Sequence, residues 1–210
     1  MEHSFWHERW QSGRIAFHEG APNALLTRYW PGLEMGCRVF VPLCGKAVDL
    51  AWLAAQGHEV VGAELDPVAV AAFFEEHGLR PTAEAHGPLT LFSADAISIW
   101  QGDIFALTAD MLGPVDAVFD RAALVALPAE MRRRYAAHLM DLTQRAPEFL
   151  ITYEYSNPEM KGPPHSVPKA EVIEHYGADF QIEEVTRDPI TGPLLNRTAG
   201  IEAAYHLSRA

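Results

Sequence analysis

Short apolar runs alternate with stretches of helical spacing along the first half of the chain. The run RVFVPL at 38–43 lies between Gly36 and Gly45 and is typical of a strand covered on both faces. Residues 46–56 carry apolar side chains at helical spacing, and a second β-rich run follows at 58–64. The pattern therefore predicts a strand, a helix and a second strand.

The same alternation continues to the end of the chain. Pro67 suits the first position of a helix that runs to about His77, which completes a βαβα unit and implies parallel strands joined by right-handed crossovers. Further strands are predicted at 89–93, 96–100, 115–120, 149–154, 180–187 and 203–208, and further helices at about 129–145 and 169–176.

These elements predict one α/β domain that spans residues 1–210. With 89–93 and 96–100 counted together as one hairpin, the predicted sheet is doubly wound, seven-stranded and mostly parallel, and its last two strands form an antiparallel hairpin. The first 35 residues lie outside the alternation and are expected to form a helical cap within that domain.

Composition narrows the class of protein. Sixteen basic residues against 28 acidic ones give a net charge of −12, which repels phosphate backbones and anionic lipid, so we expect no nucleic-acid or membrane partner. The longest stretch without a formal charge is ten residues, 85–94, whereas a membrane-spanning helix needs about 20 apolar residues. The N-terminus lacks the basic start and apolar stretch of a signal peptide. A soluble, cytoplasmic, monomeric protein is expected.

Metal and disulfide chemistry are not expected. Cys37 and Cys44 make neither a disulfide framework nor a fourfold metal site, and the ten histidines show no close ligand spacing. Cys44 stands beside Gly45, but no histidine or acid forms a recognisable partner arrangement for a thiol nucleophile. A small apolar packing role is the expectation for Cys44.

Ligands of open α/β sheets bind at the carboxyl ends of the strands, which selects the loops 42–46, 64–66 and 120–123. Gly45 lets a ligand approach the backbone, although the turn is neither a G-x-G-x-x-G fingerprint nor a P-loop. Glu64 follows 19 residues later at a strand end, where a carboxylate accepts both hydroxyl protons of a ribose. Together they indicate a nucleoside-type cofactor, either a nicotinamide dinucleotide or S-adenosylmethionine. Arg121 ends another strand and is a candidate for the rim of the reaction site.

Five segments, in order and at matching spacing, resemble the thiopurine S-methyltransferase family, and its bacterial branch most. They are WQSGRIAFH at 10–18, VFVPLCGKAV at 39–48, GHEVVGAE at 57–64, FDRAALVA at 119–126 and GPPHSVP at 162–168. The resemblance implies a class I, Rossmann-like methyltransferase fold that binds S-adenosylmethionine and releases S-adenosyl-L-homocysteine.

The resemblance also implies roles for individual residues. Trp6 and Trp10 belong to a segment that closes over the cofactor, and Leu43 lies in the turn that takes its methionine part. Glu64 holds the ribose hydroxyls, while Asp103 and Ile104 flank the adenine. The residues implied on the acceptor side are Phe17, which stacks on the substrate, Arg121, which lies by cofactor and acceptor, and Arg197, which matches an active-site arginine.

The implied reaction is direct in-line methyl transfer to the thiol of a small aromatic heterocycle such as a thiopurine, with selenium or tellurium compounds as further acceptors and a role in detoxification. Arg121 and Arg197 would act as the catalytic residues by favouring the anionic acceptor. Two alternatives stay open: a binding or sequestration protein that keeps the cofactor fold without turnover, and an NAD-dependent oxidoreductase. The missing G-x-G-x-x-G fingerprint counts against the second.

Overall fold

The computed structural model describes residues 3–13, 15 and 19–210. The chain forms two compact units, Met1–Ala117 and Val118–Ala210. Each unit combines strands with helices, and the boundary falls one residue inside the strand that begins at Ala117.

Five strands make the sheet of the first unit. Its elements are α1 (His3–Gln11), α2 (Ala24–Tyr29), β1 (Arg38–Val41), α3 (Val48–Ala55), β2 (Glu59–Glu64), α4 (Pro67–Glu76), β3 (Thr82–His86), β4 (Leu89–Ala94), β5 (Ile97–Gln101) and α5 (Ala109–Leu112). The strand order is β3-β4-β5-β2-β1. β1, β2 and β5 are parallel, with Val39 opposite Val60 and Gly62 opposite Ile99, whereas β3 and β4 run antiparallel to their neighbours.

Burial explains why these segments form strands and helices. Every residue of β2 after Glu59 is buried, as a continuous apolar run covered on both faces requires. α4 begins at Pro67 because its fixed φ suits the first helical position, and the Asp66 side chain accepts a hydrogen bond from the Val68 amide as the N-cap. α4 buries the apolar side chains Ala69, Val70, Phe73 and Phe74.

Four strands make the sheet of the second unit, in the order β6-β7-β9-β8. Its elements are β6 (Ala117–Arg121), α6 (Ala129–Leu142), β7 (Glu148–Glu154), α7 (Lys169–Tyr176), β8 (Phe180–Pro189), α8 (Gly192–Leu195) and β9 (Ile201–Arg209). β6 and β7 are parallel, and β9 runs antiparallel to both β7 and β8. The buried Arg132 on α6 donates two hydrogen bonds to Glu171 on α7, which ties the two helices together.

The α/β class and the antiparallel C-terminal strands agree with the sequence prediction. The strand count does not, because the described residues contain nine strands, whereas the predicted seven count 89–93 and 96–100 together as one hairpin and lack β3. β3 was missed since all five of its side chains are exposed, so no buried position marks it in the sequence. The expected N-terminal helices are present as α1 and α2, and α1 packs against α4.

Within the described ranges, no helix combines the length and the apolar character needed to cross a bilayer. Both cysteines are free thiols. Among residues 3–13, 15 and 19–210, no three histidine, cysteine, aspartate or glutamate side chains come together as metal ligands would.

Candidate functional site

A tight turn follows β1 in the first unit, and two of its residues have left-handed backbone. Leu43 has φ +45° and Gly45 has φ +55°, a region that glycine enters freely and that other L-residues enter at a cost. The Cys44 amide donates to the Ala63 carbonyl oxygen at 3.0 Å, which anchors the turn to β2. The strained turn therefore sits at a fixed place beside the end of β2.

Glu64, the last residue of β2, is held by two backbone amides. Its Oε2 accepts a hydrogen bond from the Gly45 amide and its Oε1 accepts one from the Asp66 amide, both at 2.8 Å. Glu64 is only 6% exposed, and this burial raises the pKa of its carboxyl to about 7, although the two amides lower the pKa. Each carboxylate oxygen keeps a second acceptor position, which suits two neighbouring hydroxyl groups.

Asp66 lies two residues further on and is 1% exposed. Its Oδ1 caps α4 by accepting from the Val68 amide at 2.8 Å. Its Oδ2 accepts a hydrogen bond from Nδ1 of His7 on α1, at 2.5 Å. A carboxylate can only accept, so the imidazole nitrogen is the donor. Asp66 thus connects α1, α4 and the amide that orients Glu64.

Trp10 brings α1 to the same place. Its side chain is 7% exposed, and a Cβ built on Gly45 would lie 3.1 Å from the indole atom Cζ2. The indole therefore rests directly on the glycine turn, and any larger residue at position 45 would displace it. Trp6 lies one turn earlier on α1, where its ring meets the edge of Phe5 with 5.3 Å between centroids.

Asp103 and Ile104 follow β5, the strand that pairs with β2 on the other side. The Gly102 amide donates to the Glu64 carbonyl oxygen at 2.9 Å, which joins the two strand ends. The Asp103 carboxylate accepts from the Phe105 amide at 3.0 Å and so caps a short 3-10 turn that begins at Ile104. Ile104 presents a nearly buried apolar side chain beside it.

Cys44 packs as a small buried side chain. A Cβ built on Gly62 would lie 2.6 Å from Sγ of Cys44, so the thiol fills the space that the glycine leaves. Burial, and next the nearby Glu64 carboxylate, raise the pKa of this thiol well above its usual value, which keeps it protonated. This position agrees with the packing role expected from the sequence.

The first unit thus gathers five of the predicted residues, Leu43, Gly45, Glu64, Asp103 and Ile104, at adjacent strand ends and adds Trp10 from α1. S-adenosylmethionine, the cofactor implied by the resemblance, fits this set. Backbone amides orient both oxygens of Glu64, which suits two neighbouring hydroxyl groups, and the indole of Trp10 occupies the space beside Gly45. The adenine ring of the cofactor is flat with largely apolar faces, and the apolar side chain of Ile104 suits such a face.

In the second unit, Arg121 is the last residue of β6 and follows the fully buried Asp120. Asp120 Oδ2 accepts from the Tyr135 hydroxyl at 2.7 Å, and Oδ1 accepts from the Leu124 amide at 3.1 Å. These bonds fix the strand end from which Arg121 projects. Burial raises the pKa of Asp120 to about 6, while its hydrogen bonds lower the pKa.

Glu148 at the start of β7 makes this a buried carboxyl pair. Burial, and next the Asp120 charge, raise the pKa of Glu148 well above its usual value. Burial, and next the charges of Glu148 and Asp120, raise the pKa of Tyr176 well above its usual value. Among the described atoms, Oε1 of Glu148 and the Tyr176 hydroxyl have no hydrogen-bond partner. Asp120 on β6, Glu148 on β7 and Tyr176 on α7 are all buried, so they do not form a surface site.

Arg197 follows α8 and borders an open cleft of about 460 Å³. Its Nη1 donates to the Pro163 carbonyl oxygen at 3.3 Å, and its own carbonyl oxygen accepts from Asn157 at 3.2 Å. The other lining residues are Ser156, Asn157, Leu195, Asn196, Thr198 and Ala199. The lining holds a guanidinium and no carboxylate, which favours an anionic or electron-rich ligand.

Sequence reasoning missed two residues of the first unit and one wall of the cleft. Asp66 had a usable signal, because an aspartate before a proline at a strand–helix junction is an N-cap pattern. His7 had none, since its partner lies 59 residues away. Ser156 and Asn157 also gave no signal. Phe17, the predicted stacking residue, lies outside the described residues.

Known proteins match this chain along its whole length. The family profile described as "Thiopurine S-methyltransferase (TPMT)" matches residues 1–208. A protein named thiopurine S-methyltransferase from Xanthobacter autotrophicus is 51% identical over 213 residues, covering 100% of both chains. Another of that name from Teredinibacter turnerae is 44% identical and covers 100% of this chain and 98% of its own.

Solved structures show the same fold at low identity. The Burkholderia thailandensis 1,6-didemethyltoxoflavin-N1-methyltransferase, solved with S-adenosylhomocysteine, has a TM-score of 0.69 at 15% identity, covering 99% of this chain and 87% of its own. A SAM-dependent methyltransferase from Anabaena variabilis has a TM-score of 0.68 at 12% identity, covering 99% and 95%. The fold is that of the class I methyltransferases, with a mostly parallel central sheet. The chain belongs to the thiopurine S-methyltransferase family and is an S-adenosylmethionine-dependent methyltransferase.

Proposed function

We propose that the protein methylates the thiol of a small aromatic heterocycle of the thiopurine type. Two relatives that match the full chain carry the name thiopurine S-methyltransferase. The observation that carries the cofactor half of the proposal is Glu64, whose two oxygens are oriented by the amides of Gly45 and Asp66. The cofactor supplies an activated sulfonium methyl group, so the chain's residues have to align and to exclude water.

The proposed cofactor residues are those of the first unit. Glu64 accepts the ribose hydroxyls, Leu43 and Gly45 form the turn for the methionine part, and Asp103 with Ile104 flank the adenine. Trp10, which rests on Gly45, covers the site, and Trp6 belongs to the same helix. Arg121 at the end of β6 is proposed to lie by cofactor and acceptor.

Two of the proposed acceptor residues, Arg121 and Arg197, belong to the second unit. The acceptor sulfur attacks as a thiolate: its lone pair forms the new bond to the methyl carbon while the bond from that carbon to the sulfonium breaks. Arg121 and Arg197 favour the thiolate over the thiol because a nearby cation lowers the pKa of an acid. The cleft beside Arg197 has a cation and polar walls for such a ligand. Phe17 is proposed to stack on the heterocycle. Selenium and tellurium nucleophiles are proposed as further acceptors.

The test combines binding with turnover. Isothermal titration should show that S-adenosylhomocysteine binds and that NAD does not. With S-adenosylmethionine and 6-mercaptopurine, a methylated product should accumulate, and Glu64→Gln should raise the KM for the cofactor. Binding without product from any thiol or selenite would instead identify a sequestration protein. Binding of NAD alone would favour an oxidoreductase.

The proposal also covers the domain organisation, the oligomeric state and the partners of the protein. The family profile spans both compact units, which supports a single methyltransferase domain over 1–210. We expect a cytoplasmic monomer that takes part in detoxification and does not bind nucleic acid, in keeping with its net charge of −12. Size-exclusion chromatography with light scattering tests the monomer, and a filter-binding assay with duplex DNA tests the last point.

A further inference from the structure

We infer that His7 and Asp66 are positioning residues of the cofactor site, and that their hydrogen bond holds α1 where Trp10 covers the glycine turn. The bond joins Nδ1 of His7 on α1 to Oδ2 of Asp66 at 2.5 Å. The inference rests on the proposed cofactor site in the first unit and adds two residues to it that act through their neighbours.

The spacing on α1 makes the arrangement possible. His7 and Trp10 stand three positions apart, so they lie on the same face of the helix. That face reaches Asp66 through His7 and Gly45 through Trp10. Gly45 and Asp66 are the two residues whose amides hold Glu64. α1 therefore contacts both residues whose amides orient the Glu64 carboxylate.

Because Asp66 is buried, losing its hydrogen bond to His7 costs free energy. Asp66 is 1% exposed, and its described hydrogen bonds at the carboxylate come from the Val68 amide and His7. A buried carboxylate oxygen that loses its donor costs free energy unless water reaches it. Removing the imidazole therefore favours positions of α1 that admit water, and in those positions Trp10 no longer covers Gly45.

Two substitutions separate this positioning role from a general loss of stability. His7→Ala removes the donor. Asp66→Ser keeps a good N-cap for α4 and the backbone amide for Glu64, but it has no second oxygen at the position of Oδ2 to accept from His7. The control is His86→Gln, which removes an exposed histidine–carboxylate pair with Glu84 elsewhere in the same unit.

The experiment is a double-mutant cycle on S-adenosylhomocysteine affinity, with kcat and KM for S-adenosylmethionine. Each single variant should weaken binding by about threefold to tenfold, as expected for one partly exposed charge-assisted hydrogen bond. The double variant should be no weaker than the singles. In the His7 and Asp66 variants the KM for S-adenosylmethionine should rise while kcat at saturating cofactor stays unchanged. His86→Gln should have the same affinity, KM and kcat as the parent protein. Independent, multiplying losses, or no loss, would overturn the inference.

Limited proteolysis keeps this test apart from the test of function. Trypsin cleavage after Arg9 on α1 should be faster in His7→Ala and Asp66→Ser than in the parent and in His86→Gln, without any ligand. If the parent fails to bind S-adenosylhomocysteine, the proposed function fails, and the cleavage rates still decide the positioning role. Equal cleavage rates in all four proteins would overturn it.

Discussion

At the scale of single residues, the buried position of Glu64 makes its ionised carboxylate unfavourable. Burial raises the pKa of its carboxyl to about 7, so the group titrates near neutral pH. Ribose hydroxyls donate to the ionised carboxylate, and a protonated carboxyl offers them a poorer acceptor. The affinity for S-adenosylhomocysteine should therefore fall as pH falls. From pH 8 to pH 6 we expect the Kd to rise about tenfold. At pH 6, one unit below the pKa, only about a tenth of the Glu64 carboxyl groups are ionised.

Glu64→Gln provides the control for this pH dependence. The amide side chain has nearly the same shape and does not titrate, so its Kd should be weaker at pH 8 and nearly flat down to pH 6. Titration calorimetry at half-unit steps measures both proteins. A parent Kd that stays constant over this range, or an equal slope in Glu64→Gln, would show that Glu64 is not the titrating group.

Arg197 offers a second prediction at this scale, on the acceptor side. If its guanidinium favours the thiolate, Arg197→Gln should lose rate mainly below the acceptor's own thiol pKa, by about tenfold for each unit of pKa that the cation had removed. Above that pH the acceptor is already anionic and the loss should shrink. Arg187→Gln, which removes an exposed pair with Glu154, is the control. A loss independent of pH would exclude this role.

At the scale of elements, β6 and α6 are joined by the hydrogen bond from Tyr135 to Asp120 at 2.7 Å. Tyr135→Phe leaves Oδ2 of Asp120 buried without this donor, and should lower the free energy of unfolding at pH 7 by about 1–3 kcal/mol. Tyr176→Phe is the matched control, because Tyr176 is equally buried and its hydroxyl has no hydrogen-bond partner among the described atoms.

The pH dependence of this effect has a defined sign. The pKa of Asp120 is about 6 in the folded protein and near 3.8 in the unfolded chain, so the folded state holds the proton more tightly. Stability should therefore fall as pH rises from about 4 to 6, because ionised Asp120 is costly in the fold. Below pH 5, Tyr135→Phe should therefore lower the free energy of unfolding by less than it does at pH 7. Urea unfolding at both pH values measures this, and equal costs for the two tyrosines would contradict the interpretation.

Elements with buried apolar runs could be predicted from the sequence, and exposed or non-local features could not. β2 and α4 are found within one or two residues of their predicted ends, because Gly57, Pro67 and Gly78 mark those ends. β3 has only exposed side chains, so no pattern of burial marks it. The position of Glu64 at the end of β2 was also predictable, because the apolar run ends there. The contact of His7 with Asp66 joins residues 59 positions apart, which no local pattern encodes.

At the scale of the whole molecule, cofactor binding and folding are linked. A ligand that binds only the folded state at 100 times its Kd adds about 2.7 kcal/mol to the free energy of unfolding. For a chain of 210 residues, each kcal/mol added to the free energy of unfolding raises the Tm by about 2–4 °C. Saturating S-adenosylhomocysteine should therefore raise the Tm by roughly 5–10 °C. NAD should leave the Tm unchanged, and Glu64→Gln should reduce the shift at the same ligand concentration.

Calorimetry also tests whether the chain behaves as one domain. The proposed ribose acceptor, Glu64, lies in the unit Met1–Ala117, whereas Arg121 and Arg197 lie in Val118–Ala210. If 1–210 is a single cooperative domain, one transition should unfold the chain, and S-adenosylhomocysteine should move all of it, because stabilising any part of a two-state protein stabilises the whole. Two transitions, of which the ligand moves only one, would show that the two units unfold separately and that the single-domain prediction is wrong.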